Sequence, residues 1–123
     1  MTITLYGIPN CDTVKKARNW LTENGQPYVF HDFKKDGITT ALISGWLRDV
    51  PADVLINRKG TTWRKLSDEQ KAAADNGNGD DTGAIELMLT SPSVIKRPVL
   101  SYAGKTSVGF SDALYQQIFT NKF

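Results

Sequence analysis

Hydrophobic and polar residues alternate over residues 2–6, which places Ile3 and Leu5 on one side, as in a short strand. The spacing then becomes helical, and a helix is predicted from about residue 12 to residue 23. Its apolar face consists of Val14, Ala17, Trp20 and Leu21. Residues 27–33 form a second apolar run, which predicts another strand. A helical crossover of this length makes the two strands parallel.

The middle of the chain has a mainly helical pattern. Three helices are expected, over residues 39–50, 67–75 and 84–92. Thr39 or Thr40 can cap the first of them, and Ser67 with Gln70 forms a capping-box pattern at the second. Residues 76–83 are rich in glycine, asparagine and aspartate, which predicts a loop.

The last part of the chain returns to strand patterns. Residues 97–102 and 106–110 predict a hairpin joined by Ala-Gly-Lys, and Ser111 or Asp112 can cap a final helix. The order is strand–helix–strand, then a helical insertion at about residues 38–92, then strand–strand–helix. This order predicts an α/β fold of thioredoxin-like architecture, with a mixed four-stranded sheet.

Length and charge narrow the class of protein. The chain has 123 residues, which fits a single domain over residues 1–123. Fifteen basic and thirteen acidic residues give a net charge of +2, an excess too small to indicate a nucleic-acid partner. The N-terminus lacks the charged start and apolar run of a signal peptide, and no apolar run of about 18 residues predicts a membrane span. We therefore expect no membrane partner and a cytoplasmic location.

Cys11 is the only cysteine, which excludes an internal disulfide and a metal site built from several cysteines. It lies between the first strand and the first helix, where backbone amides lack intrahelical partners and the helix dipole favours negative charge. Lys15 adds positive charge one turn along, whereas Asp12 opposes it. A thiolate is favoured in this position, and the same amides can hold a substrate oxyanion. The alternative, a buried and inert cysteine, stays open on the residues alone.

The sequence contains few residues that could act with Cys11 as a base or as a second thiol. His31 is the only histidine and could act as a base, although a lone histidine is more often structural. Ile8 and Val14 occupy the positions that either C-x-x-C spacing would need. If Cys11 forms an adduct with an oxidised group, a thiol from outside must resolve it, and glutathione is the abundant cytosolic choice.

Two further stretches carry positive charge. In "KRPVL", Arg97 either offers a forked donor to a carboxylate or oxyanion or is a solvated edge charge, and Pro98 suits the start of a strand. In residues 57–66, "NRKGTTWRKL", a turn at Lys59 and Gly60 with solvated flanks is the simpler interpretation. Three tryptophans are expected as core or half-buried anchors: Trp20, Trp46 and Trp63.

Three segments in this order, "YGIPNCDTVKKA", "LINRKGTTWRKL" and "IKRPVL", resemble the arsenate reductase ArsC/Spx family. The resemblance is greatest to the YffB-type branch of small reductases and covers essentially the whole chain. It implies a thioredoxin-like fold with an inserted helical region. It also implies that Cys11 is the nucleophile, that Pro98 is a cis-proline facing it, and that Arg97 contacts the bound anion.

The chain departs from two patterns of this family. Its arsenate reductases use three arginines around the oxyanion, and Arg97 fits one of them. Another aligns at or beside Asn57, with Arg58 one place off, and the third falls near Gly109, where no arginine occurs. Spx regulators, the other branch, bind RNA polymerase, and some use a C-x-x-C switch that is absent from this sequence.

Residues and resemblance together predict a glutathione-dependent thiol reductase with a single nucleophilic cysteine. Glutathione or glutaredoxin releases the adduct, and no bound cofactor or metal is expected. The alternatives are an Spx-like regulator that contacts RNA polymerase and an arsenate reductase. The predicted site consists of Cys11 as the nucleophile, with Asn10, Asp12, Thr13, Lys15, Arg97 and Pro98 around the substrate.

Overall fold

A computed structural model describes residues 2–74 and 81–120 of the chain. Its strands are β1 (Ile3–Gly7), β2 (Val29–Asp32), β3 (Val99–Tyr102) and β4 (Lys105–Val108). Its helices are α1 (Asp12–Glu23), α2 (Thr40–Leu47), α3 (Ala52–Leu55), α4 (Thr61–Arg64), α5 (Asp68–Ala73), α6 (Thr82–Thr90) and α7 (Asp112–Thr120), with a 3-10 turn at Pro92–Val94.

The chain divides into two compact units. One, the sheet unit, comprises Met1–Lys35 and Arg97–Phe123. The other, the helical unit, comprises Asp36–Lys96. All four strands belong to the sheet unit, together with α1 and α7.

The sheet has the strand order β2-β1-β3-β4. β1 and β2 are parallel, as their helical crossover predicts, and Leu5 pairs with Phe30. β3 runs antiparallel to both β1 and β4, so that Leu100 is paired with Leu5 on one side and with Ser107 on the other. This arrangement confirms the mixed four-stranded sheet and the thioredoxin-like α/β fold.

The core of the sheet unit lies on the face of the sheet that α1 and α7 cover. Ile3, Leu5 and Leu100 contribute the sheet side of this core. The helices contribute Ala17, Trp20, Leu21, Tyr115 and Phe119. Burying each large apolar side chain stabilises the fold by about 1.5–3 kcal/mol, so this cluster is the main reason why both helices stay on the sheet.

The start of α7 is held in two ways. The hydroxyl of Ser111 accepts a hydrogen bond from the backbone amide of Leu114 at 3.0 Å, so Ser111 is the residue that caps the helix. Asp112, the other predicted cap, instead accepts a hydrogen bond from the indole nitrogen of Trp20 at 2.6 Å. This bond ties α7 to α1.

Tyr115 is fully buried in the aromatic core, and its hydroxyl has no hydrogen-bond partner among the described residues. An unsatisfied buried hydroxyl costs stability, so Tyr115→Phe should raise the free energy of unfolding by about 1 kcal/mol. Denaturant unfolding measures this change. Tyr102→Phe is the matched control, because Tyr102 is half-buried and its hydroxyl is not a buried group without a partner, so its loss should not raise the stability. A fall in stability in Tyr115→Phe would contradict the prediction.

Burial also raises the pKa of Tyr115 above its usual value of 10.0. The folded protein therefore keeps the Tyr115 proton above about pH 10, whereas the unfolded chain releases it. The contribution of this group to the free energy of unfolding is fully present below about pH 10 and is lost as the pH rises further. The advantage of Tyr115→Phe should accordingly grow above pH 10.

The β3–β4 hairpin turns through Ala103 and Gly104, whose φ angles are both positive, at 55° and 78°. Alanine is strained in this region by about 1–2 kcal/mol, and two-residue hairpin turns of this kind favour Asn-Gly. Ala103→Asn should therefore stabilise the protein by about 1 kcal/mol and raise the melting temperature by roughly 3–6 °C. The same change at Ala113, exposed in α7, should lower it slightly. An equal effect at both positions would refute this explanation.

Two helix starts in the helical unit follow the sequence pattern. The Thr39 hydroxyl accepts from the Leu42 amide at 3.2 Å, which decides between the two predicted caps of α2. At α5, Ser67 and Gln70 form the predicted capping box, with bonds of 3.0 and 3.1 Å. Residue 75, the predicted end of that helix, lies outside the described residues.

Several predicted bounds were wrong. β2 and β3 are shorter than predicted, because strand pairing in the sheet ends before the apolar runs do. β1 covers residues 3–7 rather than 2–6. β4 covers residues 105–108 rather than 106–110, because Lys105, predicted in the turn, pairs with Tyr102. The first helix of the middle region ends at Leu47 rather than residue 50, since the amides of residues 49 and 50 bond back to Trp46 in a closing turn. α6 begins at Thr82, inside the predicted loop at 76–83, and the rest of that loop up to residue 80 lies outside the described residues.

α3 and α4 were not predicted. Each has only four residues, which is too short for a helical repeat to be visible in the sequence. α3 follows Pro51 and ends at a short bridge, in which Ile56 pairs with Ile95. The simple turn expected at Lys59 and Gly60 is followed directly by helix α4, which begins at Thr61.

Candidate active site

The loop that carries Cys11 is a tight turn after β1. The amide of Cys11 donates to the carbonyl of Ile8 at 3.4 Å, with Pro9 and Asn10 at the two central positions. Proline is favoured at the first central position of such turns because its fixed φ suits it. Pro9 and Asn10 are both exposed. The turn thus brings the chain from the buried end of β1 to the start of α1 within four residues.

Cys11 is the N-cap residue of α1. Its backbone is extended, with φ −98° and ψ 124°, and its carbonyl accepts the Lys15 amide at 3.0 Å. No side chain caps this helix, and the first amides of a helix have no partner within it. These amides and the helix dipole favour negative charge in front of them. The Cys11 side chain is partly exposed, so it is not the deeply buried filler of the alternative interpretation.

Gly7 determines how closely α1 approaches β1. A Cβ atom built on Gly7 would lie 2.8 Å from Cγ2 of Val14, which is fully buried. Only a residue without a side chain leaves room for the first turn of α1 in its present position. This role of Gly7 could not be predicted from the sequence, because it depends on a contact between two elements.

The other predicted residues of this segment lie on the turn or on the first turn of the helix. Asn10, Asp12 and Lys15 are exposed, and Thr13 is half-buried. Asp12 occupies the first helical position, where a carboxylate suits the helix dipole. The local chain therefore brings these four residues around Cys11 without help from the rest of the fold.

Arg97 and Pro98 precede β3. The peptide bond between them is cis, and the carbonyl of the buried Pro98 accepts the amide of Gly109 at 2.9 Å. Tyr6 pairs with Val99 in the antiparallel register, so Pro98 follows at the Gly7 end of β1. Arg97 and Pro98 therefore lie at the same end of the sheet as the loop of Cys11.

The Arg97 side chain is half-buried, and no hydrogen bond or ion pair is recorded for it among the described residues. A guanidinium placed in this way is available to an anion from solution, to which it can offer two parallel N–H donors. A solvated charge at the edge of the sheet, which was the other interpretation of Arg97, would be more exposed than Arg97 is.

His31 lies in β2, where it pairs with Tyr6 of β1. The two rings are in contact, with centroids 4.9 Å apart. Burial raises the pKa of the Tyr6 hydroxyl. Because its ring packs against that of Tyr6, His31 has a packing role in the sheet, in keeping with the structural interpretation.

The positions compared with the other two arginines of arsenate reductases have different surroundings. Asn57 lies in the helical unit, where its side-chain oxygen accepts the Lys59 amide at 3.2 Å. The Arg58 guanidinium lies 5.1 Å from the centre of the Trp63 ring, a cation–π contact. Gly109, in the sheet unit, has a positive φ of 78° and no side chain.

The described residues contain neither a metal-binding cluster nor a membrane-spanning helix. No group of three or more His, Cys, Asp or Glu side chains in residues 2–74 and 81–120 is placed to hold a metal ion. In the same residues, no helix has the length and apolar character needed to cross a membrane.

A model of the ArsC family matches residues 6–118. The chain belongs to the ArsC family. Among solved structures, a YffB protein is 46% identical, with a TM-score of 0.82, over 93% of this chain and 96% of its own. An arsenate reductase (ArsC) related protein from Brucella melitensis is 47% identical, with a TM-score of 0.74, over 97% of this chain and 95% of its own.

A relative with a lower sequence identity is a transcriptional regulator. The global transcriptional regulator Spx of Listeria innocua is 26% identical over 112 residues, which is 89% of this chain and 81% of the regulator. These comparisons confirm the resemblance drawn from the three sequence segments. ArsC-family membership is therefore established for this chain, and its relatives include an arsenate reductase related protein and a transcriptional regulator.

Proposed function

We propose that this ArsC-family protein is a glutathione-dependent thiol reductase with Cys11 as its nucleophile. The observation that carries the proposal is the position of Cys11, partly exposed at the uncapped start of α1. Unpaired amides at a helix start favour negative charge in front of them, and the thiolate is the form of cysteine that attacks disulfides. Similarity to an arsenate reductase related protein supports a redox role for this cysteine.

The reaction takes place in two exchanges. The Cys11 thiolate attacks the glutathione sulfur of a mixed disulfide, which forms a Cys11–glutathione disulfide and releases the substrate thiolate. A second glutathione thiolate then attacks this disulfide, which gives oxidised glutathione and frees Cys11. The substrate thiolate takes up the proton released by the second glutathione. Overall, the sulfur of the second glutathione is oxidised from the thiol to the disulfide level and the substrate sulfur is reduced from the disulfide to the thiol level. The other glutathione sulfur stays in a disulfide throughout, and the protein is unchanged.

The neighbouring residues position the substrate in this proposal. The amides after Asn10, those of Asp12 and Thr13 included, hold the loop and the developing negative charge. Lys15 adds positive charge, and Arg97 binds a carboxylate of glutathione. Pro98 keeps the start of β3 open to a peptide-like ligand, because it has no amide hydrogen to offer a further strand.

The proposed chemistry needs no resident cofactor, because glutathione is a diffusible reductant. Glutaredoxin is the second candidate for the thiol that releases the adduct. The reaction requires a reducing thiol pool, which places the proposed activity in the cytoplasm.

Mass spectrometry after incubation of the reduced protein with oxidised glutathione tests the central step. We expect one glutathione adduct, on the peptide that contains Cys11, which is removed by reduced glutathione. Absence of an adduct, or an adduct that reduced glutathione does not remove, would overturn the proposal.

The role of Arg97 predicts a change in substrate binding. Arg97→Gln should raise the KM for a glutathione mixed disulfide about tenfold and leave kcat within about twofold, because a charge-assisted hydrogen bond is lost from substrate binding. Steady-state kinetics with a coupled glutathione reductase assay measures both. Arg48→Gln, at an exposed position of the helical unit, is the matched control and should change neither. An unchanged KM in Arg97→Gln would contradict the assigned role.

The similarity to Spx supports a second candidate, a regulator that contacts RNA polymerase. A regulator of this kind would co-elute with RNA polymerase and would not turn over a mixed disulfide. The reductase would give the opposite result in both measurements.

In this proposal, arsenate is a poorer substrate than a glutathione mixed disulfide. Of the three arginine positions in arsenate reductases of the family, only that of Arg97 holds an arginine aligned without displacement. An oxyanion needs several charge-assisted donors for tight binding. Turnover of arsenate with glutathione at rates similar to the mixed disulfide would instead favour an arsenate reductase.

A further inference from the structure

A cavity of about 280 Å³ lies in the sheet unit between the β3–β4 hairpin and α7. Its apolar lining comes from Leu100 and Tyr102 on the sheet and from Leu114 and Ile118 on the helix. Leu114, Ile118 and Tyr102 are half-buried and line this space. The volume is at the lower end of the range for small-molecule sites, about 300–1,000 Å³.

The cavity has polar side chains from β4 and α7, which are Lys105, Ser107 and Gln117, in addition to the Tyr102 hydroxyl of β3. Among the lining residues that the structure describes, none is acidic. Across residues 2–74 and 81–120, no ion pair or side-chain hydrogen bond is recorded for the Lys105 ammonium, which is exposed. Within the described residues, the cavity thus combines an apolar body with one positively charged side chain and three uncharged polar groups.

Regular secondary structure builds the cavity. Lys105 pairs with Tyr102, and Ser107 pairs with Leu100, so the four side chains stand on the same face of the hairpin. Leu114, Gln117 and Ile118 recur at the three- and four-residue spacing that brings them to one side of α7. A site on paired strands and a helix is held more firmly than a site on loops.

The cavity is separate from the proposed active site. Its hairpin end is next to the start of β1, since Ile3 pairs with Tyr102. The loop of Cys11 leaves the opposite end of β1, after Gly7. The cavity is therefore not a subsite for the thiol chemistry of Cys11.

We propose that this cavity binds a small monocarboxylate with a compact apolar body. The apolar part lies against Leu114, Ile118 and the ring of Tyr102, which removes their free surfaces from water. The carboxylate lies toward Lys105, with Ser107 and Gln117 as hydrogen-bond donors. Lys105 is the only charged side chain among the described lining residues, and its positive charge favours an anionic head over a neutral or cationic one.

Octanoate and its uncharged counterpart octanamide are suitable probes. In titrations followed by amide chemical shifts, octanoate should move the signals of Tyr102, Lys105, Leu114 and Ile118 in a saturable way. Octanamide should bind about three- to fivefold more weakly, the amount expected for one exposed ion pair. Lys105→Gln should remove this difference, whereas Lys16→Gln, which loses an exposed lysine of α1, should preserve it.

Ser107→Phe, a substitution that suits a strand and fills the cavity, should abolish binding of both probes. Its far-ultraviolet circular dichroism and its Cys11 adduct formation should stay unchanged. The proposal is overturned if the shifts do not saturate, if the two probes bind equally to the unmodified protein, or if Ser107→Phe still binds them. Shifts of these signals with protein concentration alone would show that a second copy covers the cavity, and would overturn it as well.

Discussion

Replacing Cys11 with serine should abolish the reduction of a glutathione mixed disulfide, with a loss of about a thousandfold or more. A serine hydroxyl stays protonated at neutral pH and is a weak nucleophile without an adjacent base. The chain has no second cysteine that could take over the reaction. The rate of mixed-disulfide reduction and the mass of the glutathione-treated protein measure this effect. Residual activity above one per cent of the unmodified rate would remove Cys11 from its proposed role.

The same substitution should not harm the fold. Cys11 makes no capping bond to α1, whereas serine is one of the preferred N-cap residues. Cys11→Ser should therefore raise the free energy of unfolding by about 1 kcal/mol, which denaturant unfolding would detect. A stabilised but inactive variant would separate the chemical role of the sulfur from any structural one. A large loss of stability would show instead that the sulfur packs as a core residue.

Gly7→Ala should destabilise the protein by about 1–3 kcal/mol, the usual cost of adding a methyl group to a well-packed site. The added Cβ would lie 2.8 Å from Cγ2 of Val14, so the first turn of α1 must move away from β1. Because Cys11 starts that turn, the rate of glutathione adduct formation should fall together with the stability. Denaturant unfolding and time-resolved mass spectrometry measure the two effects.

A double-mutant cycle tests whether the Val14 contact is the cause. In a Val14→Ala background the contacting methyl group is absent, so Gly7→Ala should cost less than about 0.5 kcal/mol. If Gly7→Ala costs the same in both backgrounds, the close approach of α1 to β1 is not what requires glycine. Gly45→Ala is a matched control, because a Cβ at Gly45 meets no atom within 4 Å.

Local sequence patterns predicted the elements that are stabilised by interactions between near neighbours in the chain. α1 spans 12 residues, enough for its apolar stripe to be visible in the sequence, and its start after Asn10 follows from the turn residues. The capping box at Ser67 could be predicted because both bonds join residues three apart. α3 and α4, with four residues each, escaped prediction for lack of a repeat.

The candidate site divides in the same way. The segment around Cys11 was predictable, since a strand end, a Pro-Asn turn and a helix start are all coded within a few residues. Arg97 and Pro98 were weaker predictions from the residues, since a charge and a strand-start proline have ordinary explanations. Their place at the end of β1 depends on the pairing of Tyr6 with Val99, two residues far apart in the chain.

The amino-acid sequence by itself determined that a single thiol is present, that any adduct needs an external thiol, and where most strands and helices occur. Only the tertiary structure decided that β3 lies between β1 and β4, that Gly7 must lack a side chain, and that a cavity forms under α7. The physical reason is the range of the interactions. Helix periodicity, caps and turns act between near neighbours, whereas strand pairing and close packing join residues that no local pattern relates.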